Sequence, residues 1–206
     1  MRISLGDVSL WFDVSGPSVI PQGDTTIERP VLVAVHGGPG LDHISMKSAL
    51  APLADDFQIL YPDLRGHGRS DHSSAEFWNL RTWADDLRRL CDALGLSGKP
   101  GWAEQSRLGR ARTITSRDVS SHYYSHELPA FDPWSMTGAV RCPVLLLAGE
   151  DDPICPLPVV EELASRLPAE TTRLVRLPDA RHTIFRDRPD LAFPAVRNFV
   201  SQVREY

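Results

Sequence analysis

The run Val31-Leu32-Val33-Ala34-Val35 passes directly into His36-Gly37-Gly38-Pro39-Gly40, and no other segment constrains the fold as tightly. Five consecutive apolar residues read as a buried strand, and the strand must stop where the glycines and the proline begin. Glycine permits backbone angles closed to other residues and lets a substrate approach the main chain closely. A turn of this kind can aim a bare N–H at a developing negative charge, as an oxyanion hole requires. Turn geometry alone is the other use of such a segment.

The rest of the chain repeats the pattern of strand, turn and helix. Residues 3–5 and 8–14 predict two short antiparallel strands, the second from the alternation in Val8-Ser9-Leu10-Trp11-Phe12-Asp13-Val14. Residues 15–30, with Gly16, Pro17, Pro21 and Gly23, read as a loop. A helix is expected within 43–54, then a strand over 57–61 that runs into a loop from Asp63 to Asp71. Asn79–Leu94 is an amphipathic helix, with Leu80, Trp83, Leu87, Leu90, Cys91 and Leu94 at three- and four-residue steps and Gly95 as its stop. Residues 102–126 read as broken helix, with Ser116 as an N-cap. Strand 143–148 is continuously apolar, which implies burial on both faces. A helix at 158–167, a strand at 172–177 and a helix at 189–204 complete the chain. Strands alternating with helices predict an α/β fold with a mainly parallel sheet flanked by helices. A length of 206 residues suits a single domain spanning 1–206.

A net charge of −5 argues against a nucleic acid partner, because phosphate binding wants a basic face. No run approaches the ~18 apolar residues of a membrane span, and Met1–Asp7 lacks a signal-peptide apolar stretch. Cys91, Cys142 and Cys155 are odd in number and far apart, which fits reduced thiols and a cytoplasmic location. His122 and His126 stand four apart on a predicted helix. Tyr123 occupies the place that glutamate takes in H-E-x-x-H, so the pair reads as a polar helix face. No metal and no cofactor are expected.

Four segments carry a family resemblance. The glycine turn is followed by Asp63-Leu64-Arg65-Gly66-His67-Gly68-Arg69-Ser70-Asp71, then by Arg141-Cys142-Pro143-Val144-Leu145-Leu146-Leu147-Ala148-Gly149-Glu150-Asp151-Asp152-Pro153, then by Asp179-Ala180-Arg181-His182. In this order they resemble the α/β-hydrolase superfamily, and within it the branch of proline iminopeptidases with their epoxide-hydrolase and esterase relatives. The likeness covers residues 1–98 and about 116–206. It implies that the Gly38 N–H faces the oxyanion, that Asp152, at the end of G-x-x-D, is the acid of a triad, and that His182 is its base. A carboxylate in that role fixes the imidazole tautomer and stabilises the imidazolium, while the imidazole takes the nucleophile's proton. Asp63 and Arg65 read as loop-holding residues able to form a local ion pair.

One part of the family pattern is missing. The family sets its nucleophile on a G-x-S-x-G elbow, and no such motif occurs in the chain. Ser106 sits at the expected distance after Lys99-Pro100 and is the candidate nucleophile, with the Arg107 N–H as the second oxyanion donor. Glu104 and Leu108, however, stand where the elbow needs glycines, and an ordinary polar helix surface is the competing reading of Ser106. The interval from Ser106 to Val144 is also too short for an elbow helix, a strand, a further helix and a lid, since one βαβ unit alone takes about 30 residues. An internal deletion near 101–110 is the simplest account, with about 101–126 a remnant of the lid and elbow region. The resemblance implies a serine-type hydrolase acting on a small ester or amide, or on the N-terminal residue of a short peptide, and the missing elbow implies that turnover is impaired or absent. The alternative is a non-catalytic binding or dimerisation module, because lost central strands expose sheet edges that invite a homodimer.

Overall fold

In a computed structural model, which describes residues 1–96 and 114–203, strands and helices alternate in each of two units, Met1–Ala130 and Phe131–Tyr206. The first unit contains β1 (Arg2–Ser4), β2 (Ser9–Ser15), β3 (Val19–Gln22), β4 (Thr25–Glu28), β5 (Val31–Val33), α1 (Ile44–Leu50), β6 (Gln58–Pro62), α2 (Leu80–Ala93), α3 (Arg117–His122) and α4 (Leu128–Ala130). Its main sheet has the order β1-β2-β6-β5. β5 runs parallel to β6, while β1 pairs with β2 and β2 with β6 in antiparallel fashion. β6 has hydrogen-bonded neighbours on both sides and is buried along its whole length, whereas β5, with one neighbour, is half-buried. Alternation along β2 sends Leu10, Phe12 and Val14 inward, where they pack with Val8, Leu60 and Leu90 of α2. α2 is capped by Asn79, whose side chain accepts the Thr82 N–H at 2.9 Å.

Residues 15–30 are more ordered than a loop: β3 and β4 pair as a hairpin across Gly23. Almost every hairpin residue is exposed, so no apolar alternation marks it in the sequence. Ser116 occupies the N-cap position of α3 without a capping side-chain hydrogen bond; its backbone N–H instead donates to the Gly40 carbonyl at 2.6 Å. A π-helical turn over Tyr123–Glu127 interrupts the helix between α3 and α4, as a broken helix in that segment implied.

The second unit contains β7 (Val144–Gly149), α5 (Leu157–Arg166), β8 (Thr172–Leu177), α6 (Ile184–Asp187) and α7 (Pro189–Val203). β7 and β8 are parallel, in register from Val144 opposite Thr172 to Gly149 opposite Leu177. Val144–Leu147 are half-buried rather than buried on both faces, and among the described residues β7 pairs with β8 alone. Leu177, Ala180 and Ala192 form the centre of this unit's core against Leu147, Val175 and Phe185. Parallel strands joined through helices, β5 to β6 and β7 to β8, give the α/β fold expected from the strand–helix alternation. Among the described residues no helix is long and apolar enough to cross a membrane.

Candidate functional site

The glycine turn of the first unit is fastened by its own histidine. His36 is buried, and its Nε2 accepts the Leu64 N–H at 3.2 Å, so the ring proton lies on Nδ1. The turn closes where the Leu41 N–H donates to the Gly38 carbonyl at 3.1 Å. Gly38 has a φ of +54°, in the left-handed region where a Cβ is unfavourable. Burial pushes the His36 pKa down and keeps the ring neutral as an acceptor. The Asp63 loop thereby holds the glycine turn in place.

Asp63 and Arg65 hold that loop through separate partners and do not pair with each other. Asp63 is fully buried and accepts from the His43 ring Nδ1 at 2.8 Å, the His43 N–H at 2.9 Å and the Arg69 N–H at 2.9 Å. Burial raises its pKa, but the His43 ring and the two amides outweigh burial and leave it below the ordinary carboxylate value. Arg65 forks onto Asp86 with two hydrogen bonds of 2.8 Å and donates a third, also 2.8 Å, to Asp7. No sequence signal marks His43 as the partner of Asp63, because nothing local links residues twenty positions apart.

The second unit brings Asp152 and His182 together. His182 Nδ1 lies 3.0 Å from Asp152 Oδ2. Asp152 Oδ1 accepts the Ile154 and Cys155 amides at 2.8 and 3.0 Å, so the carboxylate is fixed by its own loop. Its side chain is 8 % exposed, against 51 % for the His182 ring. Burial again raises the pKa, and the His182 hydrogen bond with the two amides brings it below the ordinary value. The loops carrying the pair approach each other at Gly149, where a Cβ would lie 2.4 Å from the Ala180 carbonyl oxygen. The Asp151 N–H donates to that same oxygen at 3.0 Å. His182 itself is presented by a turn in which the Arg181 N–H and the Thr183 hydroxyl both bond Asp187. With Nδ1 held by a carboxylate, the ring presents Nε2 as the free basic nitrogen.

Gly38 lies in the first unit, and Asp152 and His182 lie in the second. Ser106 and Arg107 fall outside the described residues. Sequence reasoning missed one neighbour: Cys155 places a ligating atom within 4.8 Å of both Asp152 and His182. The D-x-x-C spacing is legible in the chain, but its meaning depends on a histidine contributed thirty positions later. His122 and His126 stack at 4.7 Å between ring centroids on an exposed helix face, with His126 Nδ1 3.1 Å from the His122 carbonyl.

Residues 30–99 match the family model described as the alpha/beta hydrolase fold. Over 118 residues, 54% of this chain, the sequence is 29% identical to a proline iminopeptidase of Clostridium botulinum, and the match spans 40% of that protein's length. A thermophilic esterase from Thermogutta terrifontis superposes with a TM-score of 0.71 at 22% identity, over 98% of this chain and 99% of that one. A proline iminopeptidase-related protein from Thermus thermophilus gives 0.71 at 17% identity, over 98% and 97% of the two chains. The match over residues 30–99 and the shared fold make this chain similar to proteins of the α/β-hydrolase superfamily, and it spans less than half the length of the Clostridium botulinum relative.

Proposed function

We propose that the chain is a serine-hydrolase-type protein whose reaction is hydrolysis of a small ester or amide, with turnover impaired or absent for want of a glycine-flanked nucleophile. The hydrogen bond from His182 Nδ1 to Asp152 carries the reading, since it is the arrangement that makes Nε2 a general base. The names of the relatives, a proline iminopeptidase and an esterase, support amide and ester bonds as the substrate class. In this reaction the Ser106 hydroxyl attacks the acyl carbon as its proton passes to His182 Nε2. Two backbone N–H groups take up the oxyanion, the role that the family resemblance gives to Gly38 and Arg107, and the alcohol or amine leaves with the proton. Water then cleaves the acyl-serine by the same relay. Glu104 and Leu108 beside Ser106 oppose the sharp elbow such an attack needs. An internal deletion that removed the elbow accounts for this departure. Three free cysteines support a cytoplasmic location.

The test is hydrolysis of 4-nitrophenyl acetate by the purified protein. Wild type should exceed the His182→Ala background by no more than a few-fold. A fast rate lost in both Ser106→Ala and His182→Ala, yet kept in Ser116→Ala, would show an intact nucleophile and overturn the impairment. A second reading, a non-catalytic binding or homodimerising module, is favoured by β5 and β7, each of which ends its sheet among the described residues. Sedimentation velocity giving a monomer across the micromolar range would count against it.

A further inference from the structure

Beside the histidine–carboxylate pair stands a thiol that the hydrolytic relay does not use. Asp152, Cys155 and His182 each offer one ligating atom, and these atoms lie within 4.8 Å of one another. We propose that the three side chains form a binding site for a thiophilic divalent cation, with Zn²⁺ the best-matched ion and water in the fourth position.

The donor set decides the class of ion. A thiolate, an imidazole and a single carboxylate suit Zn²⁺, whereas Mg²⁺ and Ca²⁺ ask for six or more oxygens, which this loop does not assemble. Bonds of about 2.0–2.3 Å at tetrahedral angles separate ligand atoms by roughly 3.3–3.7 Å. Closing the observed spacing to that value asks for a movement of about 1 Å, supplied by side-chain rotation of two exposed residues, Cys155 and His182.

The anchored member of the set is Asp152. Its Oδ1 is held by the Ile154 and Cys155 amides, and the same bonds fold the loop so that Cys155 comes back beside the carboxylate. The His182 ring is already turned toward the site by its 3.0 Å contact with Oδ2. On coordination the Cys155 thiol releases its proton to solvent and the imidazole binds neutral, so one thiolate and one carboxylate balance the two positive charges. Solvent reaches Cys155 and His182, which gives the ion a direct path in. Three protein ligands with an open fourth position are the stoichiometry of zinc sites that exchange their last ligand.

The site shares Asp152 and His182 with the hydrolase reading but requires no turnover. Its test is therefore metal uptake by the whole chain. The metal-free protein is titrated with Zn²⁺ against a chromophoric chelator, and with Co²⁺ while the thiolate-to-cobalt absorption in the near ultraviolet is followed. Wild type is expected to take up one Zn²⁺ and to show the cobalt–thiolate band. Cys155→Ser and His182→Gln, with folding verified by circular dichroism, should each weaken Zn²⁺ binding at least tenfold and abolish or shift the band. Cys142→Ser, which removes an exposed thiol elsewhere, should behave as wild type. Absence of uptake by wild type would overturn the proposal, and so would uptake that falls with Cys142→Ser but not with Cys155→Ser. Ester hydrolysis measured on the same preparations keeps the two readings separate through Cys155→Ser, which should weaken Zn²⁺ binding and leave any hydrolysis in place, whereas His182→Gln removes a residue that both readings use.

Discussion

The Arg65–Asp86 pair offers a sharp test of how the Asp63–Asp71 loop is held. The two side chains are 3% and 1% exposed and meet through two hydrogen bonds of 2.8 Å. Asp86→Ala leaves the guanidinium buried with only Asp7, whose side chain is 54% exposed. Asp86 is also the main influence holding the Arg65 pKa above its ordinary value, and the charge stays when this partner goes because a guanidinium is not deprotonated at working pH. Breaking a buried pair by removing one member costs about 3–5 kcal/mol. At about 2–4 °C per kcal/mol for a chain of this size, the melting temperature should fall by roughly 6–20 °C. The double variant Arg65→Met/Asp86→Leu removes both charges and should recover most of that loss, because an apolar pair of similar volume is often neutral or better. Differential scanning calorimetry on the wild type, Arg65→Met, Asp86→Leu and the double variant closes the cycle, with Asp86→Ala measured beside them. A loss under about 1 kcal/mol for Asp86→Ala would match an exposed ion pair and refute the claim that this contact is buried and structural.

Three further outcomes follow from the same structure. Burial, and next the neighbouring His36, push the His67 pKa down from 6.5 to about 4. The unfolded chain therefore binds the proton first, and stability should drop by about 3 kcal/mol as pH falls from 6.5 to 4; His67→Gln should flatten that part of a melting-temperature profile, and an unchanged slope would refute the assignment. Gly149→Ala places a methyl group 2.4 Å from the Ala180 carbonyl oxygen and should cost about 1–3 kcal/mol, read as a lower melting temperature; a neutral result would mean that the two loops are not closely apposed. Leu90 is fully buried against β2 and β6, so Leu90→Ala should cost about 2–5 kcal/mol by chemical denaturation, and a cost below about 1 kcal/mol would place α2 off the sheet.

What could be read from the sequence was set by burial. β2, β6, α2 and β8 follow apolar patterns because each has at least one face turned to a core, and pattern is the record of that burial. The β3–β4 hairpin has no such face, and it could be found only by pairing one strand with the other. The same distinction separates the site residues. Asp152 and His182 could be placed because each follows a legible strand. The roles of His43 and Cys155 depend on partners that only the folded chain brings near: Asp63 accepts from His43 across twenty positions, and Cys155 acquires a histidine from beyond β8. Arg65 shows the limit most directly, since a charge near Asp63 in sequence suggests a pair, yet its fork lies on Asp86 of α2.

Among the described residues, the contacts that organise the histidine–carboxylate pair come from its own unit. Two loop amides fix Asp152, Asp187 fixes the turn that carries His182, and Gly149 permits the two loops to touch. None of these contacts involves a nucleophile. The pair therefore speaks for available chemistry, and a rate must be established separately. An imidazole beside a carboxylate and a thiol is a good ligand set, with the nitrogen facing Asp152 able to bind a cation once its proton has moved to the other ring nitrogen. The thiol completes that set on a loop whose anchoring carboxylate is already paired with the ring. Under the two proposals together, this loop is a chemically competent surface whose measurable property is metal uptake rather than ester cleavage.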